Sequence, residues 1–295
     1  MRKILPLLLL LLAPALQAEE VKLDHNGLSV SANLDTTGEG WTDGPVVLMT
    51  HGTLAHNRME IMATLQELFA ERDISSLAIN LSLGLSNREG MYDCAIPHTH
   101  KHTDALDEIG LWLEWLKAQG VKSVVLLGHS RGGNQTAWFA AERDQDAISK
   151  VMLIAPQVWD AEKNARGYQK SYGKELAPIQ AKAEQLVGEG KGDTALQPID
   201  FIYCPQSSAT ASAFVSYYQA DKRMDTPTLL RQIAKPVLVF AGSADTVVEG
   251  LTEKMARLEG QENVALEVIE GADHFFLDLY AEELADSAAE FITAE

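Results

Sequence analysis

The 295-residue sequence is poor in cysteine and in basic residues, and beyond its N-terminus it has no long apolar run. It contains two cysteines, and 24 Lys and Arg stand against 42 Asp and Glu, which gives a formal charge of −18 at pH 7. Such an acidic chain repels nucleic acid and anionic membrane surfaces. Because no run beyond the N-terminus approaches the roughly 20 apolar residues that span a membrane, we expect no stable membrane insertion of the mature chain. These absences favour a globular protein that binds neither nucleic acid nor membranes.

The first 18 residues resemble a secretory signal peptide. Arg2 and Lys3 precede the apolar run Ile4–Leu16, which small residues and two glutamates follow. A charged start, a short apolar core and a small-residue cleavage site are the parts of such a signal. We expect cleavage after Ala18, with Ala15 as the competing site and an uncleaved anchor as the alternative. The sequence therefore predicts a periplasmic or secreted protein.

Cys94 and Cys204 are predicted to form a disulfide, because disulfides persist in the compartments that exported proteins reach. A bond that closes so long a loop contributes several kcal/mol, on the order of 4–5, in a chain-entropy model. The alternative is two independent buried thiols, since pairing needs the two Cα atoms within about 7 Å.

Strands and helices alternate along most of the remaining sequence. A hairpin is predicted over residues 21–34, and six continuous apolar runs have the character of strands buried on both faces of a parallel sheet: 45–52, 74–81, 123–128, 151–156, 236–242 and 264–271. Apolar residues at helical spacing lie between them, over residues 59–71, 104–119, 134–143, 251–258 and 282–292. This order predicts an α/β fold with a doubly wound, mostly parallel sheet.

One interval breaks the alternation, because no run between Pro156 and Lys235 resembles a buried strand. It holds a polar helical stretch, a loop at residues 188–193 and a segment rich in aromatic residues. We therefore expect core residues 19–156 and 235–295, with residues 157–234 inserted as a helical cap. The alternative is that this interval wraps a face of the core.

The stretch Gly128-His129-Ser130-Arg131-Gly132 carries the first chemical signal. It follows a predicted buried strand and opens a predicted helix, which is the context of a nucleophile elbow. Cβ atoms at its two glycines would collide with the neighbouring strand and helix, and the helix start favours negative charge nearby. Ser130 is therefore the candidate nucleophile.

A serine hydroxyl needs a base, and the later strands supply one. His274 follows the last strand in EGADHFF, and Asp245 follows the preceding strand in FAGSADTVV. Loops at the carboxyl ends of parallel strands face one crevice, so we expect Asp245 to orient His274 towards Ser130. Asp160 and Asp273 are alternative acids.

An oxyanion site completes the expected machinery. The backbone N–H of Arg131 and that of Thr53, in the loop after the first core strand, are the predicted donors, with Leu54 as the second choice for that loop. Each such donor contributes roughly 3 kcal/mol to transition-state stabilisation.

Four motifs occur in order: the His51-Gly52 turn, the Gly128–Gly132 elbow, the GSAD acid turn and the DHF histidine turn. With them, the chain from about Val46 to Phe276 resembles the α/β-hydrolase superfamily. The resemblance implies a serine hydrolase that works through an acyl-enzyme, with no metal or organic cofactor. The sequence departs from the common pattern at Arg131 and in the long segment between Gly84 and Thr103, which affects the substrate class. The side chain of Arg131 is expected to pair with a neighbouring carboxylate, and the alternative is contact with an anionic substrate group.

Three alternating histidines, His98, His100 and His102, lie in that long segment. They resemble a metal-ligand spacing, but the favoured interpretation is that they line the substrate mouth and bind no metal.

The sequence thus predicts an exported serine hydrolase that cleaves carboxylic esters of small molecules. The alternatives are a thioesterase, amidase or peptidase with the same triad, or a catalytically silent binding protein of the cell envelope.

Overall fold

The computed structural model describes residues 18–143, 145–258 and 260–294. The expected signal peptide, residues 1–18, lies outside the described residues apart from Ala18. In the described part of the chain, no helix is both long and apolar enough to cross a membrane.

A mixed sheet forms the centre of the molecule. Among the described residues it has eight strands in the order β1-β2-β4-β3-β5-β6-β9-β10, in which β1, β2 and β4 pair antiparallel and the remaining neighbours pair parallel. The strands span Glu19–His25 (β1), Leu28–Asp35 (β2), Val46–Thr50 (β3), Ser75–Asn80 (β4), Val124–His129 (β5), Ile148–Ile154 (β6), Val237–Gly242 (β9) and Val264–Ile269 (β10). The predicted α/β fold and the hairpin, whose turn is Asn26-Gly27 with positive φ at both residues, are confirmed.

Helices cover both faces of this sheet. They span Glu60–Ala70 (α1), Asp104–Ala118 (α2), Arg131–Glu142 (α3), Thr226–Leu230 (α7), Leu251–Met255 (α8) and Leu279–Thr293 (α9). Successive strand residues alternate between two apolar clusters: Val47, Met49, Val125 and Leu127 pack on the side of α1 and α9, while Val46, Leu48, Val124 and Leu126 pack on the side of α2 and α3. Burial on both faces is why these strands appear as continuous apolar runs.

Residues 157–234, here called the insertion, differ from the purely helical cap that the sequence predicts. They contain α4 (Ala161–Tyr172), α5 (Leu176–Gly188), α6 (Ala211–Tyr218) and the short 3-10 helix Lys222–Met224. They also contain a two-stranded antiparallel sheet, β7 (Ala195–Phe201) and β8 (Cys204–Thr210). The sequence does not predict this hairpin, because its exposed and buried positions do not alternate with the period of two that is typical of strands.

The disulfide expected from the sequence is present. Cys94, in the long loop after β4, is bonded to Cys204 at the start of β8, with the Cα atoms 5.2 Å apart. Non-covalent contacts join the same two segments, since Ser207 Oγ donates to the Cys94 carbonyl and His98 N donates to the Ser208 carbonyl. The insertion is therefore fastened to the loop between β4 and α2.

Candidate active site

Ser130 lies at the turn between β5 and α3 in a strained backbone conformation, with φ 57° and ψ −121°. The turn is possible because of the glycines on either side. A Cβ at Gly128 would lie 2.5 Å from the Gly132 carbonyl oxygen, and one at Gly132 would lie 2.2 Å from the His51 carbonyl oxygen. This geometry is that of a nucleophile elbow, in which the serine side chain is held out of the helix and the strand.

The structure brings Ser130, His274 and Asp245 together. Ser130 Oγ lies 3.0 Å from His274 Nε2, and His274 Nδ1 lies 2.8 Å from Asp245 Oδ2. Because a carboxylate only accepts hydrogen bonds, Nδ1–H donates to Asp245, and the Nε2 lone pair faces the serine hydroxyl. This arrangement can take the serine proton as the oxygen attacks a carbonyl carbon.

Asp245 is held as an anion by the groups around it. Burial raises the pKa of its carboxyl, but hydrogen bonds from His274 and from the amides of Val248 and Val247 outweigh burial and lower the pKa below its ordinary value. Oδ1 accepts from the Val247 amide at 2.7 Å and from the Val248 amide at 3.0 Å. The other oxygen remains available for the imidazole.

The backbone of His274 is anchored by a second histidine. His129 Nε2 donates to the His274 carbonyl oxygen at 2.9 Å, and the two rings lie 4.8 Å apart. Burial lowers the pKa of His129 to about 4, so it stays neutral. It is thus a packing and hydrogen-bonding residue of the elbow.

The loop after β3 packs directly against the elbow. A Cβ at Gly52 would lie 3.1 Å from Ser130 Cβ, and Thr53 and Arg131 line the same cavity as Ser130. Within the described residues, the amides of Thr53, Leu54 and Arg131 donate no hydrogen bond. Thr53 and Arg131 therefore lie beside Ser130 with free N–H groups, whereas Leu54 is buried and does not line this cavity.

A buried network holds that loop in place. His51 Nδ1 donates to the Gly52 carbonyl oxygen at 2.9 Å, while its Nε2 accepts from the Leu81 amide at 3.1 Å. Arg88 donates to the same Nε2 at 3.1 Å and to Asn80 Oδ1 at 2.6 Å. Burial lowers the pKa of His51 well below its ordinary value, so His51 is a structural histidine.

Ser130 opens into a cavity of about 580 Å³ that the insertion helps to enclose. Among polar and charged residues, its wall includes six aromatic side chains: Trp159, Tyr168, Tyr172, Tyr203, Tyr217 and Tyr218. Several of the tyrosine hydroxyls bond to the protein: Tyr218 Oη accepts from the Ile202 amide, and Tyr168 Oη donates to the Asp200 carbonyl. The wall therefore offers aromatic faces to a ligand, as apolar binding sites commonly do.

The model of the protein family described as "Serine aminopeptidase, S33" matches residues 44–278, which include the elbow, Asp245 and His274. The chain belongs to this α/β-hydrolase family. No curated protein sequence matches this hydrolase.

Several solved structures share the fold of the hydrolase. Est1E from Butyrivibrio proteoclasticus, with ferulic acid bound, superposes with a TM-score of 0.66 at 18% identity over 92% of this chain and 97% of its own. The monoacylglycerol lipase of Paleococcus ferrophilus gives 0.61 at 19% identity, over 89% and 98%. The esterase Pf2001 of Pyrococcus furiosus gives 0.57 at 17% identity, over 94% and 92%. At these identities the likeness shows the fold alone.

The three alternating histidines of the hydrolase do not line the substrate mouth, contrary to the expectation from the sequence. His98, His100 and His102 are at most 1% exposed and do not contribute to the cavity wall. His98 Nδ1 lies 3.1 Å from His100 Nε2, and His100 Nδ1 lies 2.8 Å from Tyr217 Oη. They form a chain of contacts beneath the insertion, because β8 and α6 cover the loop that carries them. In the described ranges no group of three His, Cys, Asp or Glu residues is arranged to hold a metal ion.

Within the ranges that the structure describes, Arg131 has no carboxylate partner, so the expected internal ion pair is wrong. No Asp or Glu of the described residues lies within ion-pair distance of its guanidinium. Its Nε instead donates to Thr53 Oγ1 at 3.0 Å. This bond joins the elbow to the loop that carries the second candidate oxyanion donor.

Asn134 and Arg88 belong to the site but were not predicted from the sequence. Asn134 is fully buried and contacts His102, Arg223 and Thr226, and Arg88 holds the loop after β3. A signal for Asn134 exists in the sequence, because three polar residues in a row, 134–136, directly follow the elbow glycines on a helix that must be buried. For Arg88 the sequence has no such signal.

Proposed function

We propose that the protein is an exported serine hydrolase that cleaves carboxylic esters of small molecules through an acyl-enzyme. Ser130 attacks the carbonyl carbon, His274 takes its proton and returns it to the leaving alcohol, and Asp245 orients the imidazole. The observation that carries this proposal is the continuous pair of contacts, 3.0 Å from Ser130 Oγ to His274 and 2.8 Å from His274 to Asp245. Contacts of this length are within reach for proton transfer.

The amides of Arg131 and of Thr53, with Leu54 as the alternative to Thr53, are proposed to stabilise the oxyanion. Each is free within the described residues, and the loop and the elbow are in van der Waals contact at Gly52. The start of α3 adds its favourable dipole at the same place. Loss of one such donor costs roughly 100- to 1000-fold in kcat.

The insertion is proposed to act as a cap that forms the acyl or alcohol pocket. It supplies the six aromatic side chains of the cavity wall, which supports an ester with an apolar or aromatic part. Export to the periplasm or the medium is supported by the Cys94–Cys204 disulfide, because such bonds persist in oxidising compartments.

A peptidase is the second candidate, and the family description favours it. An aminopeptidase must bind a free ammonium group close to the scissile bond, which calls for a carboxylate there. The carboxylates that line the cavity, Asp160 and Glu249, are exposed, and the charged side chain next to Ser130 in sequence is a cation. The wall therefore fits an ester better than an N-terminal peptide.

The test is turnover of p-nitrophenyl acetate, butyrate and octanoate beside amino-acid p-nitroanilides, with Ser130→Ala as the control. We expect ester hydrolysis that the substitution abolishes while the circular dichroism spectrum stays unchanged. Anilide hydrolysis without ester hydrolysis would favour the peptidase. Absence of both in a folded sample would leave a silent binding protein.

A further inference from the structure

Among the described residues, the guanidinium of Arg131 contacts only uncharged groups. Nε donates to Thr53 Oγ1 at 3.0 Å, Nη1 lies 3.3 Å from His102 Nδ1, and the guanidinium carbon lies 5.0 Å from the centre of the Tyr217 ring. These contacts fix the plane of the group, because they hold it at one edge and along one face.

His102 is a neutral acceptor, and its surroundings establish which nitrogen carries the proton. Asn134 Nδ2 donates to the Arg223 carbonyl at 2.9 Å and to Thr226 Oγ1 at 3.1 Å, so its Oδ1 is the atom that faces His102. His102 Nε2–H therefore donates to that oxygen at 2.9 Å, which leaves the Nδ1 lone pair for Arg131. Burial and the nearby guanidinium lower the pKa of His102 to about 3, so it does not compete as a cation.

The charge of Arg131 thus has no counterion in the part of the chain that the structure describes. Burial lowers the pKa of Arg131, and the groups that oppose this shift are the tyrosines Tyr217, Tyr203 and Tyr218 rather than any carboxylate. A partly buried charge without a partner is costly for a protein. The chain has 42 acidic residues that could have paired with this cation, so its unpaired state beside the candidate nucleophile suggests a functional role.

The position of Arg131 suits the binding of an anionic group of the substrate. The residue directly follows Ser130 and lines the same cavity, and two of its five N–H groups are used by Thr53 and His102. The free N–H groups match the two oxygens of a carboxylate, which arginine binds in a fork.

We propose that Arg131 binds a carboxylate of the substrate, so that the protein prefers esters that carry a free carboxylate near the scissile bond, such as half-esters of short dicarboxylic acids. This proposal rests on the proposed ester hydrolysis and names its substrate class. A neutral ester leaves the guanidinium without a counterion when the cavity fills and water is displaced.

The test compares the monoethyl esters of succinate, glutarate and adipate with neutral esters of the same shape. For monoethyl glutarate the matched substrate is ethyl 5-methylhexanoate, in which an isopropyl group replaces the carboxylate. Acid release in a pH-stat gives kcat/KM for each. We expect the best half-ester to exceed its neutral match by about 10- to 100-fold, as for a charge-assisted hydrogen bond.

Arg131→Met is expected to reduce that ratio to about 1. The ratio separates recognition from structure, because a displaced Thr53 loop lowers kcat/KM for both esters alike. Lys163→Met is the matched control: Lys163 is an exposed cation of the same cavity wall, and its loss should change the ratio less than twofold. A wild-type ratio of 1 or below, or a ratio that survives Arg131→Met, would overturn the proposal while ester hydrolysis itself stands.

A binding measurement keeps the proposal testable if no ester is turned over. Calorimetric titration of glutarate into Ser130→Ala should show binding that is lost in Ser130→Ala/Arg131→Met. Glutarate that binds both proteins equally, or neither, contradicts the assignment of Arg131. Binding without turnover in the wild type would instead contradict the proposed hydrolysis.

Discussion

Removal of the Cys94–Cys204 disulfide is expected to lower the free energy of unfolding by about 3–5 kcal/mol. The bond spans a sequence separation of 110 residues, from the loop after β4 to the start of β8. In the chain-entropy model, a cross-link of this span lowers the entropy of the unfolded chain, which raises its free energy by about 4.7 kcal/mol. Residual structure in the unfolded state reduces that figure, so the lower end of the range allows for it.

The native fold should survive the loss, because other contacts join the same segments. Ser207 Oγ donates to the Cys94 carbonyl at 2.7 Å, and the backbone of His98 exchanges hydrogen bonds with Ser208 and Thr210 at 2.8 and 2.9 Å. We therefore expect Cys94→Ala/Cys204→Ala to fold and to keep its ester turnover.

The assay is urea unfolding followed by fluorescence at pH 7.5, for the wild type with and without reductant and for the double variant. The reduced wild type and the variant should share a midpoint well below that of the oxidised wild type. Reduction leaves both sulfurs in place, so it controls for the lost side-chain atoms. A difference below about 1 kcal/mol between oxidised and reduced protein would show that the cross-link does not stabilise the fold.

Three further substitutions test the elbow, the acid and the buried histidines. Gly132→Ala should lower esterase activity more than 100-fold and destabilise the fold by about 1–3 kcal/mol, because its Cβ would lie 2.2 Å from the His51 carbonyl oxygen; Gly188→Ala, with open space at its Cβ, is the control in both urea and activity assays. Asp245→Asn should lower kcat by about 10³- to 10⁴-fold, whereas Asp160→Asn, which keeps the α4 cap, should stay within twofold. Below pH 6.5 the free energy of unfolding should fall, because histidines become protonated in the unfolded chain while burial keeps them neutral in the fold. Burial lowers the pKa of His98 to about 4 and that of His100 and His102 to about 3. In urea titrations, His98→Phe should make this fall shallower by up to about 1.4 kcal/mol per pH unit, and an unchanged slope contradicts the assignment.

The strands and the relative positions of the candidate residues were predictable, since they depend on local patterns. Burial of both sheet faces forces continuous apolar runs, and each run ends in a loop at the same edge of a parallel sheet. Ser130, Asp245 and His274 follow three such runs, so their order along the chain already predicts that they meet. The elbow glycines are required because a Cβ there would collide with adjacent elements, and for the same reason the glycine spacing predicts the elbow from the sequence.

The insertion was less predictable, because its structure depends on long-range packing. The single helical stretch expected there is divided at Gly173, which ends α4 in the left-handed conformation with φ 66°. The β7–β8 hairpin includes Pro198 and the charged Asp200, which do not favour strand formation, and it is held through Cys204 and the loop after β4.

The partners of Arg131 and the burial of the histidines have the same origin. His100 and His102 are buried because α6 covers them. Tyr217 of that helix contacts both rings but lies more than a hundred residues away in the chain, so the local sequence does not predict this burial. No local pattern shows that a guanidinium beside Ser130 is left without a carboxylate.

Covalent labelling is the direct test of whether Ser130 is a nucleophile that His274 activates. The purified protein is incubated with a fluorophosphonate, and the adduct is measured by intact mass and located by peptide mapping, beside Ser130→Ala and His274→Ala. We expect one adduct, on Ser130, that is absent from Ser130→Ala and forms at least 100-fold more slowly in His274→Ala. Equal labelling of Ser130→Ala, or no labelling of the folded wild type, would contradict it.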